Sequence, residues 1–169
     1  MPVSTQSVRQ LSLRQRQGRA ANAIAELFKK NLRVPHIYLE AGWPTLGGKR
    51  VDVMAVDEAG SGDIHVVEIE LGPLSKKAAM LRAMKTAPAH YMYLASDFPG
   101  LMEIAEDVSS LFAKSGIGKI GLISIEERED SQPIARLISP GERFRMPEER
   151  YRGVKRFLFK HQPDFEIRI

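Results

Sequence analysis

The stretch from Arg50 to Leu71, RVDVMAVDEAGSGDIHVVEIEL, constrains the fold more than any other part of the chain. Two apolar runs, Arg50 to Asp57 and Ile64 to Leu71, flank a Gly- and Ser-bearing loop over 58–63 and read as a β-hairpin. Into these runs the chain sets Asp52, Glu68 and Glu70, each beside Val, Ile or Leu. Acidic groups in such surroundings cost free energy to bury unless they are paired or bound to a cation. Glu68 and Glu70, two apart in a strand, leave the same face. In a hairpin centred near Gly60-Ser61, Asp52 falls opposite Glu68, Ile69 or Glu70. If the paired residue numbers have an even sum, Asp52 shares a face with both glutamates, with Cβ atoms within ~5–8 Å. A one-residue slip turns it away. Like charges this close raise each other's pKa unless a cation neutralises them, so the pattern points to Mg²⁺ or Mn²⁺, which favour oxygen ligands. The competing reading pairs Glu68 and Glu70 with Lys49, Arg50 or Lys76.

Periodicity around the hairpin predicts an α/β chain in the order αβββαβαβ. Ala20 to Asn31 has Ala20, Ile24, Leu27 and Phe28 on one helical face. Strands are expected at His36 to Ala41, His90 to Ala95 and Lys119 to Ile125, with Ile134 to Ile138 pairing with the last of these. Ser75 to Thr86, Pro99 to Lys114 and Pro147 to His161 are expected to be helical, the first with Ser75 as N-cap. The single Trp43 reads as a core lid and His90 as structural. His36, His65 and His161 lack the spacing of a zinc site.

With 169 residues the chain has the length of one domain. It has no Cys, which removes disulfide, thiolate-metal and cysteine-nucleophile chemistry. No apolar run approaches the ~18 residues of a membrane span, so no membrane partner is expected. The net charge of +4 is compatible with a polyanionic partner. It is concentrated in an acid-free, flexible arm over residues 1–19, with helix over Gln6 to Gln17 as its alternative conformation, carrying Arg14, Arg16 and Arg19, and in a second cluster from Arg143 to Lys160. Gly18 is expected to break the arm from the domain over 20–169. The arm also has the character of an organellar address, the alternative to a cytoplasmic or nucleoid-associated location.

On Val51-Asp52 and Glu68-Ile69-Glu70, set in this element order, the chain resembles the PD-(D/E)xK, or restriction-endonuclease-like, nucleases. The likeness covers about Ala20 to Ser96, and VVEIELGPLSKKAAML with AHYMYLAS resembles the strand–helix–strand of DNA-repair and resolvase-like members. It implies a restriction-endonuclease-like αβββαβ core, a mixed sheet flanked by helices, with a C-terminal strand and helix added. It further implies a metal held by Asp52, Glu68 and the Ile69 carbonyl, with Glu70 acting on the attacking water. Glu26 on the first helix would join the acidic site, and Lys76, Lys77 or Lys85 would stabilise phosphate charge. Val51 stands where the family has Pro, and Glu70 where it has Lys, as in restriction enzymes with an ExE motif.

The reading this favours is a metal-dependent DNA endonuclease or resolvase-like repair enzyme, DNA being preferred to RNA. Its phosphate contacts would come from Arg14, Arg16, Arg19, Lys49, Arg50, Lys77, Arg152, Lys155 and Arg156, and two copies would pair to cut two strands. The alternatives are an inactive nuclease-fold protein that binds nucleic acid or serves in a larger assembly, and a protein-interaction module that docks its basic segments on an acidic partner.

Overall fold

The computed structural model describes residues 11–42, 50–58, 60–72, 89–101, 106–107, 110, 114, 118–129 and 131–166, with backbone alone at 40–42, 50 and 159. Six strands form one mixed sheet in chain order: β1 (His36–Gly42), β2 (Arg50–Val56), β3 (Ile64–Glu70), β4 (Tyr91–Ser96), β5 (Gly121–Glu126) and β6 (Ile134–Ser139). β1, β2 and β3 make an antiparallel meander. β4 and β5 run parallel to β3, and β6 returns antiparallel to β5. Parallel neighbours need a crossover of about a dozen residues or more. Both such connections coincide with a predicted helix. The one over 75–86 lies outside the described residues, and the one over 99–114 has helical backbone at 106, 107, 110 and 114.

The middle strands are apolar on both sides because the sheet is covered on both sides. Val66 and Val67 are adjacent and therefore point to opposite faces. On one face Val53, Val67, Tyr93 and Ile123 bury Ala20, Ile24 and Phe28 of the first helix. On the other, Met54, Val66, Leu94 and Leu122 bury Val154 and Leu158 of the last. Among the described residues, no helix is long and apolar enough to cross a membrane.

The first helix, α1 (Leu13–Glu26), differs from the sequence expectation at its start. Ser12 caps it, its hydroxyl accepting from Gln15 N–H while Gln15 reciprocates to the Ser12 backbone. This local pair carries the helix through Gly18, where a break is expected, and makes residues 13–19 part of α1. A π turn (Leu27–Leu32) continues it, and Arg33, in the left-handed region at φ 54°, ends it. The C-terminal helix, α2 (Glu148–Phe159), lies within its predicted span. Its Tyr151 hydroxyl donates to the Gly62 carbonyl at 3.2 Å, tying it to the hairpin loop.

Phe28 is fully buried, with its ring edge-on to Tyr93 at 5.4 Å and to His65 at 5.5 Å. Phe28→Ala is expected to lower the unfolding free energy by about 3–5 kcal/mol. Urea unfolding with an unchanged m-value would register it. A loss under about 1 kcal/mol would mean that the π turn repacks and fills the space.

Candidate metal centre

The β2–β3 ladder runs from Val56↔Ile64 to Val53↔Val67, pairs whose numbers have an even sum, and ends one residue short of Asp52 and Glu68. Val51 packs in one core and Val53 in the other, so β2 breaks its alternation at Asp52, and the Asp52 and Glu68 carboxyls meet there. At that point a side chain enters the hydrogen bonding, because the Ile69 N–H donates to Asp52 Oδ2 at 2.8 Å. The bond fixes the Asp52 carboxylate between the two strands. A backbone N–H aimed at a carboxylate is a charge-assisted bond, stronger than a neutral one.

Glu68 is partly buried in β3, and its carboxyl is pushed up to about 8. Burial is the largest cause, followed by the charge of Asp52 and a hydrogen bond with the Asp52 carboxyl. Two carboxylates so placed behave as one unit that holds a proton between them. Glu70 follows two residues later, half-buried and opposite Ser96 in the parallel ladder with β4. Among the described residues, no group of three or more His, Asp or Glu side chains is placed to hold a metal ion.

Asp52 and Ile69 open on a cavity of about 470 Å³ on the α1 side. Gln17, Gly18, Ala21 and Asn22 of α1 form one wall, Leu39 of β1 another, and Asp164 and Phe165 the third. Glu26 does not join this cavity. It is exposed, pairs with Lys30 at 2.6 Å, and lines a neighbouring cavity with Asn31 and Gln132. The helix contribution comes from Gln17 and Asn22, one turn and more before Glu26. Their spacing with Gly18 and Ala21 on one helical face is the signal that would have found them. Asp164 carries no such signal, since only the folded chain brings it near Asp52.

The basic residues divide into three groups. Lys49, Lys76, Lys77 and Lys85 lie outside the described residues, and Arg50 is described only as backbone in β2. Arg16 and Arg19 act within the fold. Arg16 pairs with Asp97 at 2.6 Å, and Asp97 in turn accepts from Gly72 N–H at 2.8 Å, just beyond β3. Arg19 donates to the carbonyls of Ser131 at 2.8 Å and Arg128 at 3.3 Å. Arg14, Arg152, Lys155 and Arg156 are exposed. The last three sit on α2, across the sheet from the α1 cavity; Arg152 pairs with Glu148, and Lys155 lies over the Tyr151 ring at 4.8 Å. Salt bridges to the glutamates from Lys49, Arg50 or Lys76, the competing reading of the motif, involve side chains outside the described set. His90 is structural, its Nδ1 accepting from the Ile64 N–H at 2.9 Å.

No protein-family model matches this chain, and no curated protein matches it. Among solved structures it is similar to SPO1766, a protein of unknown function from Silicibacter pomeroyi. The match has 18% sequence identity and a TM-score of 0.57, and covers 89% of this chain and 87% of that one. At that identity the likeness is one of fold. A more distant match is SfsA from Pyrococcus furiosus, solved in complex with Ca²⁺, at 14% identity and a TM-score of 0.44, covering 78% of this chain and 65% of that one.

The raised Glu68 carboxyl sets a pH dependence of stability. Because the folded chain holds this proton more tightly than the unfolded one, stability falls as pH rises from about 4.5 to about 8. Glu68→Gln cannot ionise and should flatten that fall. Above pH 8 it should exceed the wild type by on the order of 2–4 kcal/mol in chelator. Urea unfolding across the pH range measures this, and parallel profiles for the two proteins would rule out the carboxyl pair as its source.

Proposed function

We propose that the chain is a metal-dependent phosphodiesterase with a restriction-endonuclease-like core, acting on nucleic acid at the Asp52–Glu68 pair, with DNA preferred to RNA. The observation that supports it is the pair itself: two hydrogen-bonded carboxyls, with Asp52 lining a cavity, an arrangement that either a shared proton or a divalent cation makes tenable. The donor set fits the cation. Asp52, Glu68 and the Ile69 carbonyl offer only oxygen, which suits Mg²⁺ or Mn²⁺. Such an ion, when bound, polarises a phosphate and lowers the pKa of a water molecule.

The chain's own groups supply the rest. The Ile69 N–H holds Asp52 in place, so that one ligand is oriented in advance. Glu68 releases the shared proton when the ligand set forms, which makes binding tighter as pH rises. Glu70, next on the same side of β3, accepts or orients the proton of the attacking water. Lys76, shortly after β3 in the sequence, is the candidate for balancing phosphate charge. A nuclease of this kind fits a cytoplasmic or nucleoid-associated location, and pairing of two copies would allow both strands to be cut.

One observation favours a second reading, an inactive nuclease-fold protein that binds nucleic acid or serves in an assembly. Glu70 occupies the superfamily's Lys position. Calorimetry with Mn²⁺ on the wild type and Asp52→Ala, with and without a DNA fragment, separates the two. Binding that is lost in Asp52→Ala, together with Mn²⁺-dependent nicking of plasmid lost in the same variant, is expected. Residual DNA affinity should persist in Asp52→Ala and fall steeply with salt. Neither metal binding nor nicking by the wild type, with DNA present, would leave the inactive reading in possession.

A further inference from the structure

Residues 162–166 return from α2 to the outer edge of β1 and reach the cavity that contains Asp52. Phe165 forms an isolated antiparallel bridge with Ile37: its N–H donates to the Ile37 carbonyl at 3.1 Å, and the Ile37 N–H donates to its carbonyl at 3.2 Å. One residue earlier, Asp164 Oδ2 accepts from the Leu39 N–H at 2.6 Å. The side chain thus does what a backbone carbonyl would do if the strand continued. The Phe165 ring packs on the α1-side core and anchors the segment. Asp164 is exposed, and it lines the same cavity as Asp52.

A carboxylate there opposes a phosphodiester entering the cavity, because like charges a few ångströms apart repel most where the walls exclude water. The attachment is also short. A single bridge, one side-chain bond and one ring hold the segment, whereas β1 and β2 pair along their whole length. We propose that residues 162–166 form an access strap, and that Asp164 keeps polyanions out of the Asp52 cavity until the strap lifts from β1. The inference rests on the phosphodiesterase reading for what enters the cavity. It assigns a role in substrate access to a residue outside the motif.

Asp164→Asn keeps an acceptor for the Leu39 N–H and removes the charge, while Phe165→Ala loosens the anchor. Each full-length variant would be titrated, beside the wild type, with a hydrolysis-resistant phosphorothioate duplex in Mn²⁺. Asp164→Asn should bind about fivefold tighter, the factor for one like-charge contact across water, with the gap closing as salt is raised. Phe165→Ala should bind at least as tightly as the wild type. In the wild type, hydrogen exchange at the Ile37 and Leu39 amides should quicken when the duplex is added. Asp164→Asn binding no tighter than the wild type would overturn the strap, as would amides that stay protected with the duplex bound. So would loss of Mn²⁺ binding in Asp164→Asn, which would make Asp164 a ligand. If the wild type and both variants all fail to bind the duplex, the phosphodiesterase reading falls and the strap with it. If all three bind alike, only the strap falls.

Discussion

With Val53 opposite Val67, the β2–β3 ladder sends Val53, Ala55 and Val67 into the core beneath α1 and Met54, Val56 and Val66 into the core beneath α2. Six apolar side chains are sorted in this way. A slip of one residue would reverse the faces of one strand relative to the other, pushing apolar groups out of both cores. That burial, at roughly 25 cal/mol per Å² of apolar surface, holds the register firmly. Asp52 and Glu68 lie just past the last of these pairs, where the Asp52 carboxyl meets both the Glu68 carboxyl and the Ile69 N–H.

Two acids in the same hairpin illustrate how environment assigns a role. Asp63 is buried and receives Arg143, which donates to both its oxygens at 2.8 and 3.2 Å, and this hydrogen bonding holds its carboxyl below the usual range. It anchors the segment after β6 to the hairpin loop and stabilises the fold as an ion. Glu68 meets Asp52 instead of a guanidinium, and its carboxyl is driven the other way. The ionised form is favoured by the fold at Asp63 and disfavoured at Glu68, although both sit in one hairpin. The arginines of α1 belong with Asp63, since Arg16 and Arg19 satisfy carboxylate and carbonyl oxygens at the strand ends.

Much of this was legible in the residues, and for identifiable reasons. Period-two alternation and apolar runs are local properties, so all six strands appear close to where the pattern puts them. The Asp52–Glu68 contact was conditional on a parity that the pattern could express and not decide. The arrangement departs from the expected one where a long-range partner overrides a local cue. Gly18 reads as a breaker, yet the Ser12–Gln15 cap and the buried alanines of α1 carry the helix through it. Glu26 reads as the helix acid of the site, but the path of α1 across the sheet gives that wall to Gln17 and Asn22. Arg16 and Arg19 read as phosphate contacts, and they are engaged by groups more than eighty residues away in the chain.

By itself, the order of residues determined the strands, their two-sided burial and the presence of acids within them, because hydrophobic period and side-chain alternation act between near neighbours. Tertiary structure alone decided the rest. It brought the Asp52 carboxyl to Glu68 at the end of the ladder, set Glu26 on a neighbouring cavity, and brought Asp164 from the far end of the chain to the Asp52 cavity. Those outcomes depend on how the hairpin, α1 and residues 162–166 meet around β1. Such meetings are set by the total surface buried, a sum over the whole molecule that no local pattern contains.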